Sequence, residues 1–349
     1  MKSLAMELPI WGLKLITWFK YIAILFGMLI VTLATHIKWL VKELFLRRLK
    51  VSNLSDRFVL ISGCDSGFGA SLALRLSEID MTVFAGCFSA HSVQFWQDKA
   101  KEQNLKIIAF QLDVTNDDSV QSALRLVKTR LPANTGLWAL VNNAGISGKT
   151  VADEWCEVND YRELMEVNFL GQVRMTHAFR PLVAQEEGRL IFMASVLGWT
   201  ESLFMAPYST SKHAVAQYAK TLRMETSATQ MEVIIISPGF HYTPMISSDA
   251  VGKMYQNKWE RQLKERGCDK EIFEKRKEFA LSIVRFCSSV NDAKNVVDAY
   301  VHAVTALFPR LNYWVGMEQW LIRPKTLIFT EEAEMWAYKI CPYLGVKWV

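Results

Sequence analysis

The sequence predicts an α/β protein built on a doubly wound parallel sheet with helices on both faces, preceded by an N-terminal membrane helix. Three observations carry that expectation. Short apolar runs alternate with amphipathic helical rhythms from residue 58 to residue 307. A glycine-rich turn, SGCDSGFG, joins the first apolar run to the first helical rhythm. Residues 21–37, YIAILFGMLIVTLATHI, contain no Lys, Arg, Asp or Glu.

The 349 residues, 51% hydrophobic and 21% charged, suit one large domain with appendages. The chain divides into an anchor and basic linker over 1–50, a main α/β domain over 51–316, and an apolar tail over 317–349. A net charge of +5 with no long basic run disfavours nucleic acid as a partner and suits an acidic membrane surface. The six cysteines are widely separated, without CxxC or metal-ligand spacing, so they read as reduced packing thiols and no metal site is expected.

As a helix, residues 21–37 are about 25 Å long, just under a full bilayer span. Lys20 and Lys38 can snorkel to the two interfaces, where Trp18, Tyr21 and Trp39 would form aromatic belts. A buried core helix, a cleaved signal and a transit peptide compete with a single-pass anchor. The basic residues Lys38, Lys42, Arg47, Arg48 and Lys50 suit cleavage poorly, and the lack of Arg before position 47 suits transit poorly. The slight excess of positive charge after the segment places the bulk of the chain in the cytosol.

The next elements follow in order. Residues 58–61 form an apolar strand, glycines follow at 63, 67 and 69, and Leu72, Leu74 and Leu76 mark one helical face. Such a turn lets backbone amides approach a pyrophosphate at a helix N-terminus. Strands are expected at 82–85 and at 106–112, the latter ending in Asp113, and residues 138–141 run into NNAG. In APYSTSKHAV, Tyr208 and Lys212 are four positions apart and share a helix face. Taken alone, the pair fits a half-exposed amphipathic helix; taken chemically, a cation beside a phenol favours the phenolate and makes an acid or base.

Taken together, SGCDSGFG, LDVT, NNAG, Asn168 in VNFLG, Ser195 thirteen residues before Tyr208, YSTSK and PGFHYT resemble the short-chain dehydrogenase/reductase family. The likeness runs from about residue 57 to residue 308, and it is greatest to the branch of retinol, 17β-hydroxysteroid and 3-hydroxybutyrate dehydrogenases. It implies a Rossmann-type fold and hydride transfer with a nicotinamide dinucleotide. By this resemblance Tyr208 exchanges a proton with the substrate oxygen, and Lys212 lowers the phenol pKa and binds the nicotinamide ribose. Ser195 hydrogen-bonds the reacting oxygen, and Asn168 holds a water in the relay behind Lys212. The dinucleotide contacts implied are Ser62, Gly63, Asp65, Ser66, Gly67, Phe68 and Gly69, then Asp113 and Val114 at the adenine. Asn142, Ala144 and Gly145 follow, with Pro238, Gly239 and Thr243 at the nicotinamide end. Two departures are Ala194 in FMAS, where the family has a serine, and Ser62 where it has threonine. The second strand ends in Gly86, Cys87 and Phe88, carrying neither the acid of NAD enzymes nor the base of NADP enzymes. Asp65 would repel a 2′-phosphate, which favours NAD.

Beyond Pro244 the chain reads as charged helices, and the resemblance makes residues 244–290 a substrate lid. Lys253, Lys258 and Arg261 fall at spacings that suit a solvated face. A helix opening at Asn291 and a final strand in RLNYWVG follow. The apolar tail fits a lipophilic pocket, membrane contact, core or a homodimer contact. Anchor, tail and branch together favour a lipophilic alcohol or ketone, steroid- or retinoid-like, at the endoplasmic reticulum membrane. A small hydroxy acid at a mitochondrial membrane and a non-catalytic cofactor-binding scaffold are the alternatives.

Overall fold

The computed structural model describes residues 10–148, 151–241, 248–260, 269–290 and 292–316. It contains two compact units, one of residues 1–51 with 306–308 and one of 52–305 with the residues from 309 onward.

In the first unit, helix α1 (Ile10–Val41) passes into a π-helical turn, Lys42–Leu46. Its described apolar side chains, from Tyr21 through Leu40, are exposed. Leu25–Leu46 is long and apolar enough to cross a membrane, and no other helix among the described residues is. The unit ends in an ordered corner. Arg47 Nε meets Glu43 at 3.2 Å, its Nη1 donates to Phe308 O at 2.7 Å, and Leu307 N donates to Leu49 O at 2.7 Å.

The second unit is a seven-stranded, wholly parallel sheet in the order β3-β2-β1-β4-β5-β6-β7. The strands are β1 (Phe58–Ser62), β2 (Thr82–Cys87), β3 (Ile107–Gln111), β4 (Ala139–Asn142), β5 (Arg189–Met193), β6 (Glu232–Pro238) and β7 (Asn312–Val315). β1, β2 and β4 to β6 are almost fully buried, which is why they read as unbroken apolar runs. Helices α2 (Gly67–Glu78), α3 (Ala90–Glu102), α4 (Asp117–Arg130), α5 (Val158–Leu164), α6 (Gly171–Gln185) and α7 (Ala206–Glu225) lie between the strands. Strand order reverses between β1 and β4, and a doubly wound sheet opens its ligand crevice there. The expectation of this fold is met.

The helix starts follow from local chemistry. Ser89 Oγ accepts from Ser92 N, and Asn116 caps α4 the same way through Ser119 N. Helix α10 (Ala293–Thr305) is held by Asp292, whose Oδ1 accepts from Lys294 N at 2.8 Å; the expected opener Asn291 lies outside the described residues.

Helices α8 (Ser248–Lys258) and α9 (Lys270–Val290) carry a second core. Trp155, Tyr255 and Trp259 surround Phe273 with ring centroids 4.9–5.7 Å away. Here the expectation of a solvated Lys258 fails. Its side chain is buried against Asp160 on α5, with Nζ and Oδ2 3.4 Å apart. Its partner comes from a helix 98 residues earlier in the chain, so the periodicity of α8 alone could not reveal it. Lys253 is exposed as expected, and Arg261, Pro244 and the tail lie outside the described residues.

Candidate active site

The C-terminal ends of β1, β4, β5 and β6 open onto one cleft, whose atom-free space, open mouth included, is about 890 Å³. Its floor is stitched together by Ser62 and Asn143. Ser62 Oγ accepts from the amides of Asn143 and Ala144, both at 3.1 Å. Asn143 Nδ2 donates back to Ser62 O at 3.0 Å and to Gly63 O at 3.1 Å, while its Oδ1 accepts from Tyr300 at 3.3 Å. These bonds bring the glycine loop and the NNAG loop into contact, so neither has room to spare. A Cβ on Gly69 would lie 2.3 Å from Gly63 O and 2.5 Å from Asn143 Nδ2.

Helix α2 starts at Gly67, which has φ +61°, and Ser66 makes no side-chain cap. The first amides of the helix are therefore left for an anion in the cleft, as a pyrophosphate requires. Asp65 bridges the loop to the end of β2, accepting from Phe88 N at 2.8 Å and Ser89 N at 2.9 Å.

On the opposite side stand Ser195, Tyr208 and Lys212. Ser195 follows β5, and its Oγ accepts from Leu197 N at 3.2 Å and donates to Pro238 O at 3.4 Å. Tyr208 and Lys212 project from the first turns of α7, with the ammonium 5.7 Å from the ring centroid. Lys212 Nζ donates to Met193 O at 3.0 Å and is otherwise enclosed.

Burial dominates the electrostatics of the pair. It pushes Lys212 down to about 7 and the Tyr208 phenol up to about 12, with the hydrogen-bonded Ser195 pulling the phenol back. Tyr208 is half-buried, but the space it meets is the narrow cleft, so its phenolate is poorly solvated. Burial outweighs the expected lowering of the phenol by Lys212.

Asn168 lies in a π-helical segment, Met165–Leu170, between α5 and α6. Its Oδ1 accepts from Ile146 N at 2.8 Å, and its Nδ2 donates to Ile146 O and Ser211 Oγ, both at 3.0 Å. It does not line the cleft; it fixes the residue after Gly145 and the residue before Lys212.

Of the residues expected at a dinucleotide, Gly63, Asp65, Ser66, Gly67, Phe68, Ala144, Gly145, Pro238 and Gly239 line the cleft with the catalytic candidates. Ser62 and Gly69 act from behind it. Asn142 is buried and donates to Thr176 Oγ1 at 3.1 Å, while its neighbour Asn143 faces the cleft. Asp113 accepts from Thr115 N and Oγ1, and Val114 packs against Gly171; neither reaches the cleft wall. Thr243 lies outside the described residues. The sequence reading missed Asn143, Ile146, Met193, Ala194 and His241. Their adjacency to NNAG, FMAS and PGFHYT was the available signal.

A parallel sheet with a glycine cradle at its switch point and a Ser, Tyr and Lys across the cleft defines a dinucleotide-dependent oxidoreductase class. The chain belongs to the short chain dehydrogenase family, whose model matches residues 57–252. It is 37% identical over 304 residues to 3beta-hydroxysteroid dehydrogenase dhs-16 of Caenorhabditis elegans, covering 82% of this chain and 76% of that one. Retinol dehydrogenase 16 of Mus musculus is 34% identical over 285 residues, covering 80% and 87%. The 17-beta-hydroxysteroid dehydrogenase type 6 of Bos taurus is 31% identical over 318 residues, covering 90% and 95%. The fold matches a short chain dehydrogenase/reductase from Burkholderia phymatum in complex with NAD, with a TM-score of 0.63 and 20% identity over 80% of this chain and 94% of that one. The protein is thus an oxidoreductase acting on CH–OH groups, in the retinol and steroid dehydrogenase branch.

Proposed function

We propose that this protein moves a hydride between NAD and a lipophilic alcohol or ketone of steroid or retinoid type, held at a membrane by α1. The observation that carries the chemistry is the convergence of Ser195, Tyr208 and Lys212 on the cleft that starts at the glycine cradle. Gly63, Ser66, Gly67 and Phe68 would hold the pyrophosphate, and Asn143, Gly145 and Lys212 the nicotinamide half. The bound dinucleotide supplies the hydride acceptor or donor.

The side chains do the rest. Ser195 orients the substrate oxygen, and Tyr208 takes its proton during oxidation or returns it during reduction. Lys212, nearly balanced between its two protonation states, passes that proton onward. Asn168 positions the relay by fixing Ile146 and Ser211.

NAD is favoured over NADP because Asp65 already occupies the Phe88 and Ser89 amides and would repel a 2′-phosphate. An apolar substrate is favoured because Val196, Leu197 and Met205 cluster with Tyr208, Phe240 and Trp314 beside the reacting end. Among the described cleft-lining residues Lys212 is the single lysine or arginine, and Lys258 is bound to Asp160, so none of the described residues at the cleft offers a spare cation to a small carboxylate. The curated relatives named for steroids and retinol support the same reading. The exposed apolar surface of α1 supports a membrane anchor, which we assign to the endoplasmic reticulum with the catalytic unit in the cytosol.

Comparing kcat/KM for a hydroxysteroid, retinol and 3-hydroxybutyrate with NAD tests this reading on the detergent-solubilised full chain. The lipophilic alcohols should lead by a wide margin. Preference for the hydroxy acid overturns the substrate assignment, and dinucleotide binding without turnover of any alcohol favours a scaffold.

A further inference from the structure

Ser195 is held by longer bonds than the helix it faces. Its Oγ contacts with Leu197 N and Pro238 O measure 3.2 and 3.4 Å, at or beyond the ordinary hydrogen-bond range. Helix α7, by contrast, buries Val215, Ala216, Ala219 and Leu222 in the main core and ties Lys212 Nζ to Met193 O at 3.0 Å. The serine opens a short 3-10 turn, Val196–Gly198, whose far end touches α7. Gly198 is buried there, and a Cβ on it would lie 2.6 Å from Lys212 O and 3.0 Å from Lys212 C. Its φ is outside the left-handed region, so its backbone would accept any residue and only the close approach excludes a side chain. The next residue holds the turn from the other side. Trp199 Nε1 donates to Ser237 Oγ on β6 at 2.9 Å, and its ring packs on Trp314 of β7 with centroids 4.9 Å apart. The Lys220 ammonium of α7 sits 3.9 Å from the same ring. Neither Gly198 nor Trp199 lines the cleft.

We propose that Gly198 and Trp199 are positioning residues that clamp this turn between α7 and the strands β6 and β7, and so set where Ser195 stands relative to Tyr208. The inference rests on the role given to Ser195 above. A methyl group at position 198 has to move something. The contact with Lys212 O must lengthen by about 0.8 Å to reach the ordinary van der Waals distance of 3.4 Å. The Lys212 carbonyl lies inside a helix fixed by its core face, so α7 does not give way. The outer end of the turn is fixed by Trp199. The displacement therefore passes to the inner end, where Ser195 has the longest bonds. A misplacement of about 1 Å costs a reacting group up to about a hundredfold in rate. The glycine cradle stands across the cleft and shares no contact with the turn, so dinucleotide affinity is spared.

The test is a double-mutant cycle on the detergent-solubilised full chain, with single-turnover oxidation of a hydroxysteroid followed by NADH absorbance. Gly198→Ala should slow hydride transfer about ten- to hundredfold. Its NAD⁺ dissociation constant, from calorimetric titration, should stay within about twofold of wild type, which also shows that the variant folds. In a Ser195→Ala background the same substitution should cost less than about twofold, because the group it displaces is already gone. A residue that merely supports the fold would cost the same in both backgrounds. Trp199→Phe keeps a ring and loses the Ser237 bond, so the outer end of the turn is freed without adding an atom. It should slow the step about three- to tenfold, the range of one hydrogen bond, and lose that effect in the Ser195→Ala background. A wild-type rate in Gly198→Ala, or an undiminished effect of either substitution without Ser195, overturns the assignment. A wild type that oxidises no lipophilic alcohol, or whose rate is unaffected by Ser195→Ala, overturns the proposed function and the assignment with it.

Discussion

Replacing Lys212 with methionine should stabilise the ligand-free protein while disabling it. The ammonium is 3% exposed and burial lowers its pKa from 10.5 to about 7, with no charged group offsetting the shift. At about 1.4 kcal/mol per unit, the charged form is destabilised by about 5 kcal/mol relative to the unfolded chain. Losing the bond to Met193 O returns about 1 kcal/mol, and methionine fills the space imperfectly, so the net gain should be about 2–4 kcal/mol at pH 6. Met193 O is not orphaned, because Gln172 Nε2 also donates to it at 3.3 Å. The pH dependence has a definite sign. Between pH 7 and pH 10.5 the unfolded chain binds more protons than the folded one, so wild-type stability rises with pH across that window. The advantage of Lys212→Met should therefore be full below pH 7, cross zero between about pH 8.5 and pH 10, and turn into a cost of about 1–3 kcal/mol above pH 10.5. Urea unfolding of both proteins in the same detergent, at several pH values, measures the difference and cancels other titrating groups. A variant less stable than wild type at pH 6, or a difference that does not shrink as pH rises, would refute the argument that burial governs this lysine.

Tyr208→Phe should lower kcat at least about a hundredfold while changing the dinucleotide dissociation constant less than about twofold, since the hydroxyl serves the substrate oxygen. Single-turnover rates and fluorescence titration separate the two effects. Gly69→Ala should cost about 1–3 kcal/mol and abolish dinucleotide binding, because its Cβ would lie 2.3 Å from Gly63 O in a loop with no freedom to retreat. Retained NAD⁺ affinity in that variant would show that the loop yields. The full-length chain should stay with membranes through a high-salt wash, because salt screens basic-patch attachment but not burial of the apolar face of α1. Release by salt alone would rule out the anchor.

The sequence by itself determined the parallel sheet and the family. Fully buried parallel strands must be continuous apolar runs, and a glycine turn before a helix leaves a pattern in neighbouring residues. It also singled out Tyr208 and Lys212, which α-helical periodicity puts on one face, and Ser195, which the family resemblance placed thirteen residues before Tyr208. What only the tertiary structure decided depends on partners far apart in the chain. Lys258 reads as solvated within its own helix, and Asp160, 98 residues away, makes it a buried ion pair. Asn143 and Asn142 are alike as letters, yet Asn142, the last residue of β4, is buried against Thr176 and Asn143, one step beyond the strand, stands at the cleft. The direction of the Tyr208 and Lys212 shifts was likewise hidden. Proximity of a cation to a phenol is local and legible, whereas the depth at which both are buried is set by the whole sheet and its covering helices.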